Sequence, residues 1–240
     1  VARTTWLFQT DSYLREFHAR VMRSETLGVV LDQTAFYPGG GGQPADRGWL
    51  HAQDRHWQVL ELRKAGEDIL HSLSGDPPEV GVEVQGELDW PRRMALMRTH
   101  TALHILCGVI WRDYQAHVTG GNMEPLRARM DFEFERMQQE LAREIEEKVN
   151  REVAAARPVQ VRILPREEAF AIPDLIRTRI NLLPAGIQEV RVVEIVGLDL
   201  QADGGTHVSS TAEVGRIRVV DYKSKGKINK RLEIALDEAS

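Results

Sequence analysis

From Trp6 to about Asp89 the chain is broken by glycine, proline or Asp/Asn-type turns about every 8 to 12 residues, with short runs rich in valine, leucine and aromatic residues between the breaks. Runs of that length suit strands, and the rhythm is that of a small β-barrel or sandwich. Leu27 to Leu31, Trp57 to Leu62 and Val82 to Leu88 are the clearest expected strands, the last alternating cleanly, and Asp76-Pro-Pro is a connecting turn.

The composition shifts at Asp89-Trp-Pro91. Asp89 is an N-cap with proline in the first turn behind it, and the spacing predicts a helix to about Trp111. This sets the expected division: an N-terminal β domain over 1–89 and a second domain over 90–240. Within the second, Gly120-Gly-Asn-Met is expected to break the chain before a strand at Leu126 to Phe134. A charged helix is expected from Glu135 to Ala155, burying Leu141, Ile145, Val149 and Val153 at four-residue spacing. Strand Val159 to Leu164, a short helix from Glu167, an apolar strand Val190 to Val196 and two closing strands, Arg216 to Tyr222 and Leu232 to Leu236, complete the reading.

The expected helix carries His100 and His104. At about 100° per residue the two imidazoles point the same way and can share one metal ion. The metalloprotease motif His-Glu-x-x-His places its general base directly after the first histidine, and here that position is Thr101, so the pair is not that signature. Leu96, Leu103, Cys107 and Ile110 flank it on a helical wheel. Two histidines at the edge of a core-facing stripe is therefore the other reading these residues leave open.

Two loops add polar groups. Leu31 to Asp46 contains four consecutive glycines, Gly39 to Gly42, ending on Gln43, and no Lys-Ser/Thr follows, which excludes a phosphate-cradling P-loop. A flexible hairpin tip would use glycine in the same way, yet Thr34, Tyr37 and Gln43 around a tight backbone loop could line a small-molecule pocket. Asp199 to Val208 reads as a polar, glycine-bent loop carrying His207, with Asp203 four positions before it. The segment Arg216 to Arg231 concentrates seven basic side chains, Lys223, Lys225 and Lys227 among them, against one acid, Asp221. It reads either as a surface for RNA phosphates or as a sheet edge protected by lysines.

With 240 residues, 42% hydrophobic and 28% charged, the chain can bury one large core or two small ones. One cysteine forms no internal disulfide and removes any Cys-x-x-Cys zinc knuckle, so a metal would rest on histidine and carboxylate. A net charge of −5 argues against a general nucleic-acid coat without excluding a local basic patch. No apolar run approaches the roughly 18 residues of a membrane span, and Val-Ala-Arg-Thr-Thr-Trp lacks the layout of a signal peptide. The expected location is the cytoplasm, with no membrane partner.

Three separated segments, in order, resemble one family: Leu31-Asp-x-Thr-x-Phe-Tyr-Pro running into Gly-Gly-Gly-Gln-Pro, His100-Thr-Ala-x-His104, and Gly204-Gly-Thr-His-Val-x-x-Thr-x-Glu-Val-Gly215. With the short Thr-Asp-Ser-Tyr start they cover nearly the whole chain. They resemble the editing domain shared by alanyl- and threonyl-tRNA synthetases, above all the free-standing alanyl-tRNA editing proteins of medium length. The resemblance implies an α+β fold, a small N-terminal β-barrel packed on an α/β editing subdomain whose helices lie on a mostly antiparallel sheet. It also implies one bound zinc (Zn2+) and hydrolysis of the ester joining serine or glycine to alanine tRNA. Carried over by residue, His100, His104 and His207 are ligands, and Thr34 and Gln43 line the amino-acid pocket. Asp203 stands where the family usually has cysteine, which leaves the fourth ligand open. Gly204, Gly205 and Thr206 are candidate oxyanion donors through their backbone amides. The chain's start, and the lack of a recognisable aminoacylation segment, favour a protein acting in trans over a fragment of a synthetase. The competing class is a non-catalytic tRNA-binding module with a structural zinc.

Overall fold

The computed structural model describes residues 3–26, 28–135, 137–173, 175 and 186–238. Leu27 and Arg136, which fall inside an expected strand and an expected helix, lie outside the described residues. The chain divides into two compact units, Val1–Ala95 and Leu96–Ser240.

The first unit contains β1 (Thr5–Trp6), β2 (Glu16–Glu25), β3 (Gly28–Leu31), β4 (Gln33–Thr34), β5 (Gly48–Ala52), β6 (Arg55–Ala65), β7 (Asp68–Leu73) and β8 (Glu83–Leu88). Six of these close into an antiparallel barrel in the order β2, β3, β7, β6, β5, β8, while β1 and β4 form a short parallel pair. Alternation decides what faces inward: Phe17, Ala19 and Val21 of β2 and Val84, Gly86 and Leu88 of β8 are buried, with polar or charged residues between them. Gly86 of β8 is dictated by its neighbour, because a Cβ there would come within 2.3 Å of the Phe17 ring. Phe17 in turn packs edge-on against Phe36 at 5.6 Å.

Two polar groups sit inside this apolar unit. Arg93 is fully buried, and its guanidinium grips both oxygens of Asp46 and donates to the Ser12 and Ala35 carbonyls. Asp46 Oδ2 also accepts the Tyr37 N–H at 2.6 Å. This anchors the glycine loop: the Tyr37 hydroxyl donates to the Gly40 carbonyl at 3.0 Å, and Gly40 and Gln43 exchange backbone hydrogen bonds at 3.0 and 2.9 Å. Gly39 to Gly42 all have positive φ (86°, 135°, 57° and 88°), which explains why only glycine fills the four positions. The loop is thus a hydrogen-bonded turn and not a loose hairpin tip.

His71 is the second polar group. It is fully buried, and its Nε2 lies 2.9 Å from Thr34 Oγ1, which also accepts the Phe36 N–H at 3.2 Å. Burial pushes the His71 pKa down from 6.5 to about 4, against smaller opposing effects of the Val29 and Ile69 backbone. The unfolded chain therefore takes up a proton below pH 6.5 that the folded one refuses until about pH 4, and stability falls as pH drops through that window. Between about pH 7 and about pH 5 the group should cost the fold about 2 kcal/mol. Urea unfolding of His71→Gln beside the parent at both pH values checks this; an equal pH dependence in the two proteins would remove His71 as its source.

The second unit begins within α1 (Trp90–Tyr114), and its other elements are β9 (Val118–Glu124), β10 (Arg127–Glu133), α2 (Gln139–Ala154), β11 (Val159–Pro165), α3 (Arg166–Phe170), β12 (Glu189–Ile195), β13 (Asp199–Ala202), β14 (Ile217–Ser224) and β15 (Asn229–Leu236). They form two antiparallel sheets, β14-β15-β10-β9 and β11-β12-β13. The fold class is α+β, and among the described residues no helix is long and apolar enough to cross a membrane. Asp89 caps α1, its Oδ1 accepting the Arg92 N–H at 3.2 Å. Every residue from Leu96 to Ile110 is buried, so the expected single stripe is instead a helix enclosed on all sides.

Three local expectations change. Gly120-Gly-Asn-Met lies inside β9, paired with β10, because an edge strand tolerates glycine where a hydrogen-bonded partner fixes the backbone. Asp199 to Ala202 is strand β13 and not loop. In α2 the buried residues are Ala142, Ile145, Val149 and Glu152, since a strict four-residue spacing drifts about 40° per step around a 3.6-residue helix. The polar face of α2 is used as well: Asn150 bonds both backbone groups of Ile217, and Glu146 accepts the Val219 N–H at 2.7 Å, which satisfies part of the outer edge of β14.

Candidate metal centre

His100 and His104 project from α1, and Asp203 and His207 from the turn that follows β13. One donor atom from each of the four lies within 4.8 Å of the others. His100 Nε2 is 3.4 Å from Asp203 Oδ1, and His207 Nε2 is 3.0 Å from Asp203 Oδ2. The rings crowd one another, with centroids 5.2 Å apart for His100 and His104, 4.2 Å for His100 and His207, and 4.7 Å for His104 and His207.

Each imidazole is aimed by a partner on its other side. His104 Nδ1 lies 3.1 Å from Asp199 Oδ2, and since a carboxylate only accepts, that nitrogen carries the proton and Nε2 is left for the cluster. His207 Nδ1 is 3.1 Å from Thr101 Oγ1, and His100 hydrogen-bonds the Thr206 backbone. Asp199 is steadied by Gln201 Nε2 at 2.7 Å. It reaches His104 because α1 has Gly108 one turn further on, where a Cβ would come within 3.0 Å of Asp199 itself and 2.9 Å of Leu198. Arg191 fixes the Asp203 turn: its Nη1 donates to the Asp203 carbonyl at 2.9 Å, and the Asp203 N–H returns a bond to the Arg191 carbonyl at 3.1 Å.

The electrostatics suit a cation. Burial drives the His100 pKa down to about 4, with Asp203 opposing it. His207 falls well below the ordinary imidazole value through burial and its neighbour His100. Burial also works against charge on His104, but the hydrogen bond and charge of Asp199 outweigh it and raise that pKa. Burial alone would raise Asp203, yet the imidazoles facing it hold the carboxyl well below its usual range. Two neutral imidazoles, a third that can surrender its proton, and an ionised carboxylate form a donor set that fits a divalent ion.

The other sequence candidates are placed as follows. Gly205 donates its N–H to Asp203 Oδ2 at 2.7 Å, so that amide already serves the Asp203 turn. Thr206 is buried. Thr34, Tyr37 and Gln43 belong to the first unit, all three buried. On the β14–β15 hairpin, Lys223 pairs with Asp221 at 2.7 Å and Glu233 at 2.9 Å. Arg231 pairs with Asp131, Arg218 with Asp237, and the Lys230 ammonium is tucked against the Gly226 and Lys227 carbonyls. Only Lys225 and Lys227 of the expected trio remain exposed without an ion pair among the described residues. Thr101, Asp199 and Arg191 were not picked out as site residues; the one signal in sequence was a lone acid at the head of a Gly-rich segment, with nothing to connect it to a histidine almost a hundred positions earlier.

Residues 7–92 match the model of tRNA synthetases class II (A), and residues 190–233 match the second additional domain of threonyl and alanyl tRNA synthetases, which takes in Arg191, Asp199, Asp203 and His207. The alanine–tRNA ligase of Pyrobaculum neutrophilum is 43% identical over 226 residues, 90% of this chain, and the chain spans 25% of that enzyme's length. The alanyl-tRNA editing protein AlaX-M of Saccharolobus solfataricus is 39% identical, covering 95% of this chain and 97% of the relative. Its counterpart in Methanosarcina barkeri is 35% identical, covering 97% and 99%. With relatives of that identity aligned almost end to end, the chain belongs to the family of the AlaX-M alanyl-tRNA editing proteins.

Proposed function

We propose that this chain is a trans-editing hydrolase of the cytoplasm that removes serine and glycine wrongly attached to alanine tRNA. The observation that carries the reading is the convergence of His100, His104, Asp203 and His207, each imidazole steadied from behind, in a family whose members are named for editing alanyl-tRNA. In this reading the four residues hold one zinc ion, which when bound supplies Lewis-acid polarisation and organises the pocket. The reaction adds the oxygen of water to the ester carbonyl carbon and breaks the bond to the tRNA ribose oxygen, which leaves as the hydroxyl after taking up a proton. An aminoacyl ester is already activated, so the chain's own task is to orient it and to stabilise the oxyanion. The backbone amides of the Gly204-Gly205-Thr206 turn are assigned that role, that of Gly205 also meeting Asp203 Oδ2.

Purified protein and alanine tRNA charged with serine or with glycine test the reading directly. Faster release of either amino acid than in buffer supports it; release at the spontaneous rate would sink it. A four-donor set is also the closed arrangement of a structural ion. That favours, as the second reading, a non-catalytic tRNA-binding module with structural zinc, for which binding without hydrolysis is the expected outcome.

Correctly charged alanine is smaller than serine, so size cannot protect it. A pocket whose polar group is satisfied only by the substrate hydroxyl can discriminate by about 10⁴ to 10⁵. Thr34, with Gln43 as a second partner and Tyr37 shaping the loop, is assigned the reading of that hydroxyl; since Thr34 Oγ1 already meets His71 and the Phe36 N–H, its share of the discrimination falls well short of that range. Thr34→Val should slow hydrolysis of serine-charged tRNA by about tenfold or more and leave glycine-charged tRNA nearly unchanged. Because the same change also takes the hydroxyl from His71, unfolding of the variant is measured alongside; equal slowing of both substrates would reduce Thr34 to a structural partner of His71.

A further inference from the structure

A second cationic surface lies in the first unit, around the end of β8. Consecutive amides of β8 and its extension bond to two arginines on neighbouring segments: Leu88 N–H donates to the Arg15 carbonyl at 2.9 Å and Asp89 N–H to the Arg47 carbonyl at 2.8 Å. Two strand spacings put their backbones about 10 Å apart. Arg92, in the first turn of α1, reaches back to the Ala45 carbonyl at 3.2 Å. Arg15 lies flat over the Trp90 ring, its Cζ 4.4 Å from the centroid, and Tyr13 tilts against the same indole at 6.1 Å.

The three guanidinium groups have no carboxylate within ion-pair distance among the described residues. Asp46 is consumed by Arg93, and Asp89 caps the Arg92 amide. Partial burial and then the like charge of Arg47 push the Arg92 pKa down, with Asp46 and Asp89 opposing them. This contrasts with the β14–β15 hairpin, where neighbouring acids answer Arg218, Lys223 and Arg231. Arg47 and Arg92 repel one another, Asp46 and Asp89 answer only part of that charge, and with half-exposed aromatic rings beside them an anionic partner would be favoured there. Arginine held on an aromatic plane presents its N–H edge to phosphate, and the pairing of such edges with aromatic rings suits single-stranded RNA better than a duplex.

We infer that Arg15, Arg47 and Arg92, framed by Trp90 and Tyr13, form a phosphate-binding cradle for a single-stranded segment of the tRNA. The inference rests on the editing reading for the identity of the RNA, and on the unpaired arginines for its location.

Fluorescence anisotropy with an alanine tRNA transcript, measured over a range of salt, tests it. The Arg47 side chain has no hydrogen-bond or ion-pair partner among the described residues, so Arg47→Ala and Arg47→Glu leave the fold's contacts intact. Arg15→Ala/Arg47→Ala should weaken binding by at least about tenfold and make the log–log salt dependence shallower by about 1.4 to 1.8, the loss of two phosphate contacts. Arg47→Glu should weaken binding further than Arg47→Ala, and Arg47→Lys should keep the slope. Unchanged affinity and slope in both the double variant and Arg47→Glu would overturn the cradle. The wild-type hydrolysis assay separates the two levels. Hydrolysis with arginine-independent binding removes the cradle alone, whereas arginine-dependent binding without hydrolysis removes the editing reading and keeps the cradle.

Discussion

His104→Ala is expected to leave the purified protein without stoichiometric metal and without activity on serine-charged alanine tRNA. The substitution deletes one of three imidazole donors and also strips Asp199, a fully buried carboxylate, of the group it orients. Loss of an outer partner in such a site weakens metal binding about 10- to 100-fold, and loss of the ligand itself should exceed that. Asp199→Asn gives the graded control: it leaves His104 in place but removes the charge that makes its ring basic, so metal affinity should fall within that 10- to 100-fold range. Uptake has a pH sign as well. The cluster binds a cation only as His104 gives up its proton, so acidification through the raised His104 pKa should release metal before it unfolds the protein. Metal analysis after gel filtration reads all three effects. Unchanged metal content in His104→Ala together with retained hydrolysis would end the assignment.

How far this site could be read in advance depends on sequence distance. His100 and His104 were legible because a helix repeats its faces within four residues, and His207 with Asp203 because a glycine-bent turn brings such neighbours together. What joined the two halves was resemblance and not periodicity. Asp199, Thr101 and Arg191 act through contacts spanning 95, 106 and 12 residues, and no local pattern encodes those. The barrel was visible as a rhythm of turns, yet β2 went unmarked although Phe17, Ala19 and Val21 alternate correctly with Glu16, His18 and Arg20, because charged outward positions and a small inward alanine dilute the apolar signal. In the basic segment the count of seven cations against one acid was true of the sequence and misleading for the surface. Asp131 on β10 and Glu233 on β15 are brought alongside by sheet register, which pairs Lys223 with Arg231 and Arg231 with Asp131. Conversely, Arg15 and Arg47 look unremarkable along the chain, and only β8, laid between their segments, brings their backbones within two strand spacings.

Arg93→Ala should be the most destabilising single change in the first unit, by about 3 to 5 kcal/mol, because it leaves the Asp46 carboxylate buried without its counter-ion. Pairing alone is not the whole effect: the guanidinium also donates to the Ser12 and Ala35 carbonyls, and both lose that donor in the variant. A double variant, Arg93→Leu/Asp46→Leu, removes both charges at similar volume and should recover part of the loss, as buried ion pairs replaced by apolar side chains commonly do. Recovery should stop short of completion, since the Tyr37 N–H loses its acceptor on Asp46 whichever residue replaces the arginine. That residual cost falls on the strand end that sets the Gly39 to Gly42 turn, through the Tyr37 hydroxyl on the Gly40 carbonyl. Urea unfolding followed by tryptophan fluorescence measures the cycle. A single-variant cost below about 1 kcal/mol would mean that water reaches Asp46 and that the pair does not hold the loop.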